Sequence, residues 1–330
     1  MIKYEKTTLP NGLRIITAPM EETKAVTVLF LIKAGSRYEK KHNNGIFHFL
    51  EHMLFKGTQK RPTALDISKE LDNIGANFNA FTSDEYTGFY VSSVSNHFKL
   101  SLDILTDILL NSRFPFKQFK KEKQVVAEEI NMYNDLPQRK IFDLLKLEIF
   151  QDTPLGRSTL GTLKSLNTIK RKDLFETVKK FYNPQNLIVV VAGNQNKFNW
   201  INNIKQKLSR LNKSKKIKFE KNVFQPKHPQ FKLYYKKTDQ AHIALGWRTF
   251  SRFNSKRYTM AVLNNILGAT MSSRLFTQIR EKRGWAYYVG SDVWEFSDTG
   301  AQTAYGGIQT SKVQSLSLIH ISEPTRPLYI

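Results

Sequence analysis

The chain has 330 residues, no cysteine, 51 Lys and Arg against 28 Asp and Glu, and a formal charge of +23. A chain of this length buries more than one core, so two domains are expected, and 40% hydrophobic residues fit a folded protein rather than a disordered one. Without cysteine there are neither disulfides nor thiolate ligands, and no apolar run approaches the ~18 residues of a membrane span.

The opening Met-Ile-Lys-Tyr-Glu-Lys lacks the apolar core of a signal peptide and carries Glu5, so a cytoplasmic, bacterial-type protein is expected. Residues 13–17 and 25–32 are β-branched runs bounded by turn residues and read as strands. Next comes His48-Phe49-Leu50-Glu51-His52, flanked by Gly45 as a helix entrance and Gly57 as a stop. On a helix, residues four apart share a face, so both imidazoles reach one small cation while Glu51 sits on the adjacent flank. The string is the inverted form of the zinc-protease helix. Phe49, Leu50, Met53, Leu54 and Phe55 make the segment apolar enough to be buried, and buried polar groups need partners. Taken alone, the same five residues also fit a surface helix with two solvated histidines.

Residues 64–74 read as an amphipathic helix running into Gly75, and residues 76–81 and 87–94 as two strands joined around Ser83-Asp84-Glu85. Residues 100–110, 119–133 and 141–150 carry helical apolar spacing, and residues 187–192 form a short buried strand ending at Gly193. Within 119–133, Glu122 and Glu129 stand two turns apart and project from nearly one direction, whereas Glu128 points about 100° away from Glu129. One of Glu128 and Glu129 can therefore face inward while the other faces water. Residues 212–231 turn lysine-rich with two prolines and read as a linker. A second strand-helix pattern follows, starting with a strand at 241–247. Ser272-Ser273 then caps a helix whose Leu275 and Ile279 face inward, stopped at Gly284.

The inverted helix, followed 77 positions after His52 by Glu129, resembles the pitrilysin, insulin-degrading enzyme and mitochondrial processing peptidase family of zinc metallopeptidases. Further matching stretches are Leu9-Pro10-Asn11-Gly12-Leu13, Gly35-Ser36-Arg37 and Gly75-Ala76-Asn77-Phe78-Asn79-Ala80-Phe81-Thr82, the last followed by Asp84-Glu85-Tyr86-Thr87. The likeness covers roughly residues 2–313 and is nearest in layout to the shorter, two-domain processing-peptidase branch. It departs at Phe47, where the family carries a small residue; altered packing is expected there, not altered chemistry.

Carried onto this chain, the resemblance implies one zinc ion per chain held by His48, His52 and Glu129, with Glu51 as catalytic base and Glu122 supporting the site. It implies that Ala76, Asn77, Phe78, Asn79, Ala80 and Phe81 form an edge strand on which an extended substrate adds, with cleavage at Asn79 and Ala80. Arg280 and Tyr287 match a pair that holds the substrate backbone and polarises its carbonyl. The fold it implies is α+β: two similar sheet-plus-helices domains enclosing a chamber, the second lacking metal and incomplete here. The expected division is 1–211, a linker at 212–231, and 232–314. The final residues, 315–330, match nothing in the family and are expected to be a non-native tail on a C-terminally truncated frame.

The expected function is thus a zinc metalloendopeptidase acting on peptides or unfolded segments. Homodimers and heterodimers with a related subunit both agree with the resemblance. The rival readings are a non-catalytic subunit of the same fold and a basic polyanion-binding protein. Intact His48, Glu51, His52 and Glu129 argue against the first. Against the second, the lysines are spread along the chain, with small clusters such as Lys120-Lys121, Lys215-Lys216 and Lys236-Lys237, and no nucleic-acid motif accompanies them.

Overall fold

The computed structural model describes residues 3–195, 198–212, 217–221 and 230–316. By internal contacts the chain divides into two units, Met1–Asn131 with Arg157–Glu220, and Met132–Gly156 with Lys221–Ile330. In chain order the elements up to the linker are β1 (Glu5–Thr8), β2 (Arg14–Pro19), β3 (Ala25–Ile32), α1 (Ile46–Leu54), α2 (Ala64–Asp72), β4 (Asn77–Thr82), β5 (Thr87–Val94) and α3 (Phe98–Leu110). They continue with α4 (Phe116–Asp135), α5 (Pro137–Phe150), α6 (Leu163–Thr168), α7 (Arg171–Phe181), β6 (Leu187–Gly193) and α8 (Trp200–Leu208).

The first unit is built on a six-stranded sheet of order β1-β2-β6-β3-β5-β4. The Val-rich β6 takes a central place, parallel to β2 and antiparallel to β3, as a nearly continuous apolar run should. In β3 every second side chain points into the core, and Val26, Val28, Phe30 and Ile32 are fully buried. These residues share one core with Phe49, Leu50, Met53 and Leu54 of α1 and with Leu102, Leu105 and Ile108 of α3. Phe47, the departure from the family pattern, is fully buried, its ring edge-on to Phe181 at 5.0 Å. The strand β4 lies at the sheet's edge, paired on one side with β5 only.

The second unit carries β7 (Gln240–Thr249), α9 (Arg257–Asn264), β8 (Ala286–Glu295) and β9 (Gly300–Gln309), with an antiparallel sheet of order β7-β9-β8. Residues 132–156 group with this unit rather than with the contiguous first domain expected at 1–211. The reason is packing: Leu145 and Ile149 of α5 lie so close over β7 that a Cβ at Gly246 would meet Ile149 Cδ1 at 2.4 Å. Of the expected linker, residues 213–216 and 222–229 lie outside the described residues, as does the expected tail from 317 onward.

The helix expected after Ser272-Ser273 is a π-helical turn over Phe276–Glu281, in which the Lys282 N–H reaches the carbonyl of Thr277 at 3.0 Å. Ile279 is buried and Leu275 half-buried, and Gly284 follows with φ +61°, so the inward face and the stop fall where the sequence puts them. Among the described residues no helix is long and apolar enough to cross a membrane.

Candidate metal centre

His48, Glu51 and His52 all hang from α1. Its first residue is preceded by Gly45 at φ +91°, packed so closely that a Cβ there would meet the Leu160 carbonyl oxygen at 2.5 Å. Two of the amides at the start of the helix are met by one buried carboxylate. Gly45 N–H donates to Glu39 Oε2 at 2.7 Å and Phe47 N–H to Glu39 Oε1 at 3.0 Å, with Asn44 Nδ2 also donating to Oε2 at 2.7 Å. Burial raises the Glu39 carboxyl to about 7, against these three bonds and the charge of Arg157. The helix is therefore fixed at its start, one residue before His48.

From α1 the two imidazoles project together, ring centroids 4.8 Å apart. His48 Nε2 lies 3.4 Å from Glu129 Oε2, and His52 Nε2 lies 3.5 Å from the same oxygen. Glu129 comes from α4, which turns Glu128 to solvent and thereby decides between the two neighbouring acids. Among the described residues, His48, His52 and Glu129 form a cluster whose ligand atoms all lie within 4.8 Å of one another. Donors around a tetrahedral zinc ion at bond lengths of about 2.0–2.1 Å stand about 3.3 Å apart, so the two measured separations suit such an ion. The chemistry of the set, two imidazoles and one carboxylate, is that of a catalytic rather than a structural zinc site. His48 is nearly buried, while His52 and Glu129 keep about a quarter of their side-chain surface, leaving one side open.

The two imidazoles hold their protons differently. Burial lowers the His48 imidazole to about 4, opposed by Glu129, so it is neutral and able to act as a ligand at pH 7. At His52 burial also works against the cation, but Glu122 and Glu129 outweigh it and lift the group to about 9, so a metal taken up there would displace its proton. Glu122 stands 3.4 Å from His52 Nδ1 and takes Lys56 Nζ at 2.9 Å on its other oxygen. Burial opposes its ionisation, yet His52 and Lys56 prevail and hold its carboxyl below the usual range. An outer carboxylate so placed would fix the orientation of a histidine that ligates a metal.

Glu51 points to the flank, and the Thr82 hydroxyl donates to its Oε2. Burial raises the Glu51 carboxyl, with the Thr82 bond and His52 opposing. The Tyr182 hydroxyl nearby is buried without a hydrogen-bond partner, and burial followed by the charge of Glu51 disfavours its ionisation.

Of the substrate-strand residues, Asn77, Phe78, Asn79, Ala80 and Phe81 lie on β4, and Ala76 immediately precedes it. Asn77, Asn79 and Phe81 alternate with the half-buried Phe78, Ala80 and Thr82. The Ala80 N–H donates to its neighbour's Asn79 Oδ1 at 2.8 Å. Arg280 and Tyr287 belong to the second unit, where the guanidinium lies 4.8 Å from the Phe276 ring centroid and 5.5 Å from that of Tyr287. Sequence reasoning assigned no role to Glu39, Lys56, Thr82 or Tyr182. Lys56 alone carried a signal, as a cation just past the C-terminal end of a helix.

Comparison with known proteins follows the same lines. The family profile described as insulinase (peptidase family M16) matches residues 14–163, and that described as the peptidase M16 inactive domain matches residues 168–320. The chain is 38% identical to an uncharacterized zinc protease, YmxG of Bacillus subtilis, over 94% of its own length and 75% of that protein. It is 36% identical to an uncharacterized zinc protease of Streptomyces coelicolor, over 96% of this chain and 72% of the relative. In three dimensions it superposes on the crystal structure of a protease from Helicobacter pylori with a TM-score of 0.89 at 22% identity, covering all of this chain and 82% of the other.

Proposed function

The chain belongs to the insulinase family, peptidase family M16, and from that premise we propose that it is a zinc-dependent endopeptidase cleaving peptides or unfolded segments laid along β4. The observation that carries the reading is the convergence of His48, His52 and Glu129 on one point, with Glu51 held at its flank.

In this reading His48, His52 and Glu129 hold the ion, and Glu122, braced by Lys56, keeps His52 turned toward it. A zinc ion bound there supplies a Lewis acid and makes water a nucleophile near neutral pH. Glu51 takes a proton from the attacking water and returns it to the departing amine, a task suited to a carboxyl whose affinity for protons burial has raised. The free edge of β4 takes an extended peptide through main-chain hydrogen bonds, so recognition reads backbone before side chain and specificity is broad. Asn79 and Ala80 flank the cleavage point, and Arg280 and Tyr287 hold the substrate backbone and polarise its carbonyl, as in the family this chain resembles.

Metal analysis together with a quenched-peptide assay tests the proposal. One zinc per chain and cleavage that falls by about 10²–10⁴ in Glu51→Gln, with zinc retained, is the expected result. Zinc at full occupancy with no cleavage by the wild type would instead make this a metal-binding, non-catalytic member of the family.

A further inference from the structure

Among the described residues the hydrogen bond to Glu51 comes from one hydroxyl, and that hydroxyl belongs to the strand proposed to carry substrate. We propose that Thr82 is the positioning residue of Glu51, and that through it the substrate-binding edge and the base are held as one rigid piece. The inference rests on the peptidase reading above and adds to it the group that orients the base.

Three observations support it. First, Thr82 ends β4 on the half-buried side of the strand, and its Oγ1 donates to Glu51 Oε2. A donated bond to one oxygen fixes the carboxylate's rotation and leaves Oε1 for another partner. Second, the pairing pattern puts the backbone of Thr82 on the open edge. Ser83 N–H bonds the Tyr86 carbonyl, so in the alternation of an antiparallel pair Phe81 bonds across to Gly88, while Ala80 and Thr82 turn their own amides and carbonyls outward. The residue that offers backbone bonds to an added strand is thus the one whose side chain holds the base. Third, the hairpin end is clamped. Ser36 N–H donates to the Ser83 carbonyl at 3.1 Å, Arg37 N–H to that of Asp84 at 2.8 Å, and Ser36 Oγ to Asp84 Oδ1 at 3.0 Å. The buried Arg37 also pairs with Glu85 at 2.7 Å. Gly35 permits this approach, since a Cβ there would sit 2.2 Å from the Ser83 carbonyl oxygen. Thr82 therefore has a fixed backbone from which to hold Glu51.

The test compares Thr82→Val, which keeps the shape and loses the hydroxyl, with Thr82→Ser, which keeps the hydroxyl. In Thr82→Val, kcat on a quenched peptide should fall about 10–100-fold, with KM, zinc content and melting temperature unchanged. Thr82→Ser should recover to within a few-fold of wild type. Crystal structures of the zinc-loaded variants give a second readout independent of turnover: Glu51 should leave its position in Thr82→Val and keep it in Thr82→Ser. Full kcat in Thr82→Val, an equal loss in Thr82→Ser, or an unmoved Glu51 in the Val variant would each overturn the inference. A wild-type chain that binds zinc but cleaves nothing would overturn the peptidase reading instead, and the crystallographic comparison would still decide the role of Thr82.

Discussion

The helices α1 and α9 make an instructive pair. Both are short and carry apolar residues at helical spacing, but α1 buries seven of its nine residues and α9 buries none. In α9 the apolar Tyr258, Val262 and Leu263 are exposed, so its polar residues are under no pressure to find partners. In α1 the pressure is severe, because imidazoles and a carboxylate lie among Phe49, Leu50 and Met53, and each must be compensated. Burial is what makes a polar residue informative. The same His or Glu on α9 would say nothing about chemistry.

Removing one member of the buried set should break the contrast most completely. His52→Ala is expected to abolish stoichiometric zinc binding, measured by metal analysis after dialysis, since only two protein donors remain. Retained zinc would mean the ion sits elsewhere. Glu122→Gln acts one step out, and zinc affinity by competition with a chromogenic chelator should drop about 10–100-fold.

Glu39→Ala tests the anchor of α1 rather than its chemistry. With the Gly45 and Phe47 amides left unpaired in the interior, urea unfolding should show a loss of about 2–4 kcal/mol. The pH dependence has a defined sign. Because the folded-state value of Glu39 is raised from 4.5 to about 7, its stabilising contribution is fully present below pH 4.5 and is lost as pH rises through 7. The deficit of the variant should accordingly be larger at pH 5 than at pH 8; a deficit that grows with pH would mean that the carboxylate, not the acid, is the favoured buried form. At the small end, Val262→Ser on α9 should shift stability by less than about 0.5 kcal/mol and leave zinc affinity untouched.

Much of the site was legible in the chain because its ligands obey helix geometry. Spacing alone put His48 and His52 on one face, and resemblance, not spacing, chose Glu129 over Glu128. The strand β3 was legible from its β-branched run, β6 from a short apolar run ending at Gly193, and β5 from its pairing with β4 around Ser83-Asp84-Glu85. What stayed hidden was long-range. Thr82 meets Glu51 across 31 positions and Lys56 meets Glu122 across 66, and no local pattern encodes either meeting. Glu39 was hidden for a different reason, since it caps α1 from six residues before Gly45 rather than from the usual position beside the helix. The grouping of α5 with the second unit rests on the packing of Leu145 and Ile149 on β7, a long-range contact that composition does not carry.

The short bond between Asn79 and Ala80 has a consequence for life in a crowded solution. A bare outermost strand is an invitation to any unfolded neighbour, and stray pairing of that kind seeds clumping. Here the central outward amide already has a stopper made from the adjoining side chain. A genuine guest would swap one oxygen for another at little net cost, whereas a passer-by that fits poorly would find the seat taken.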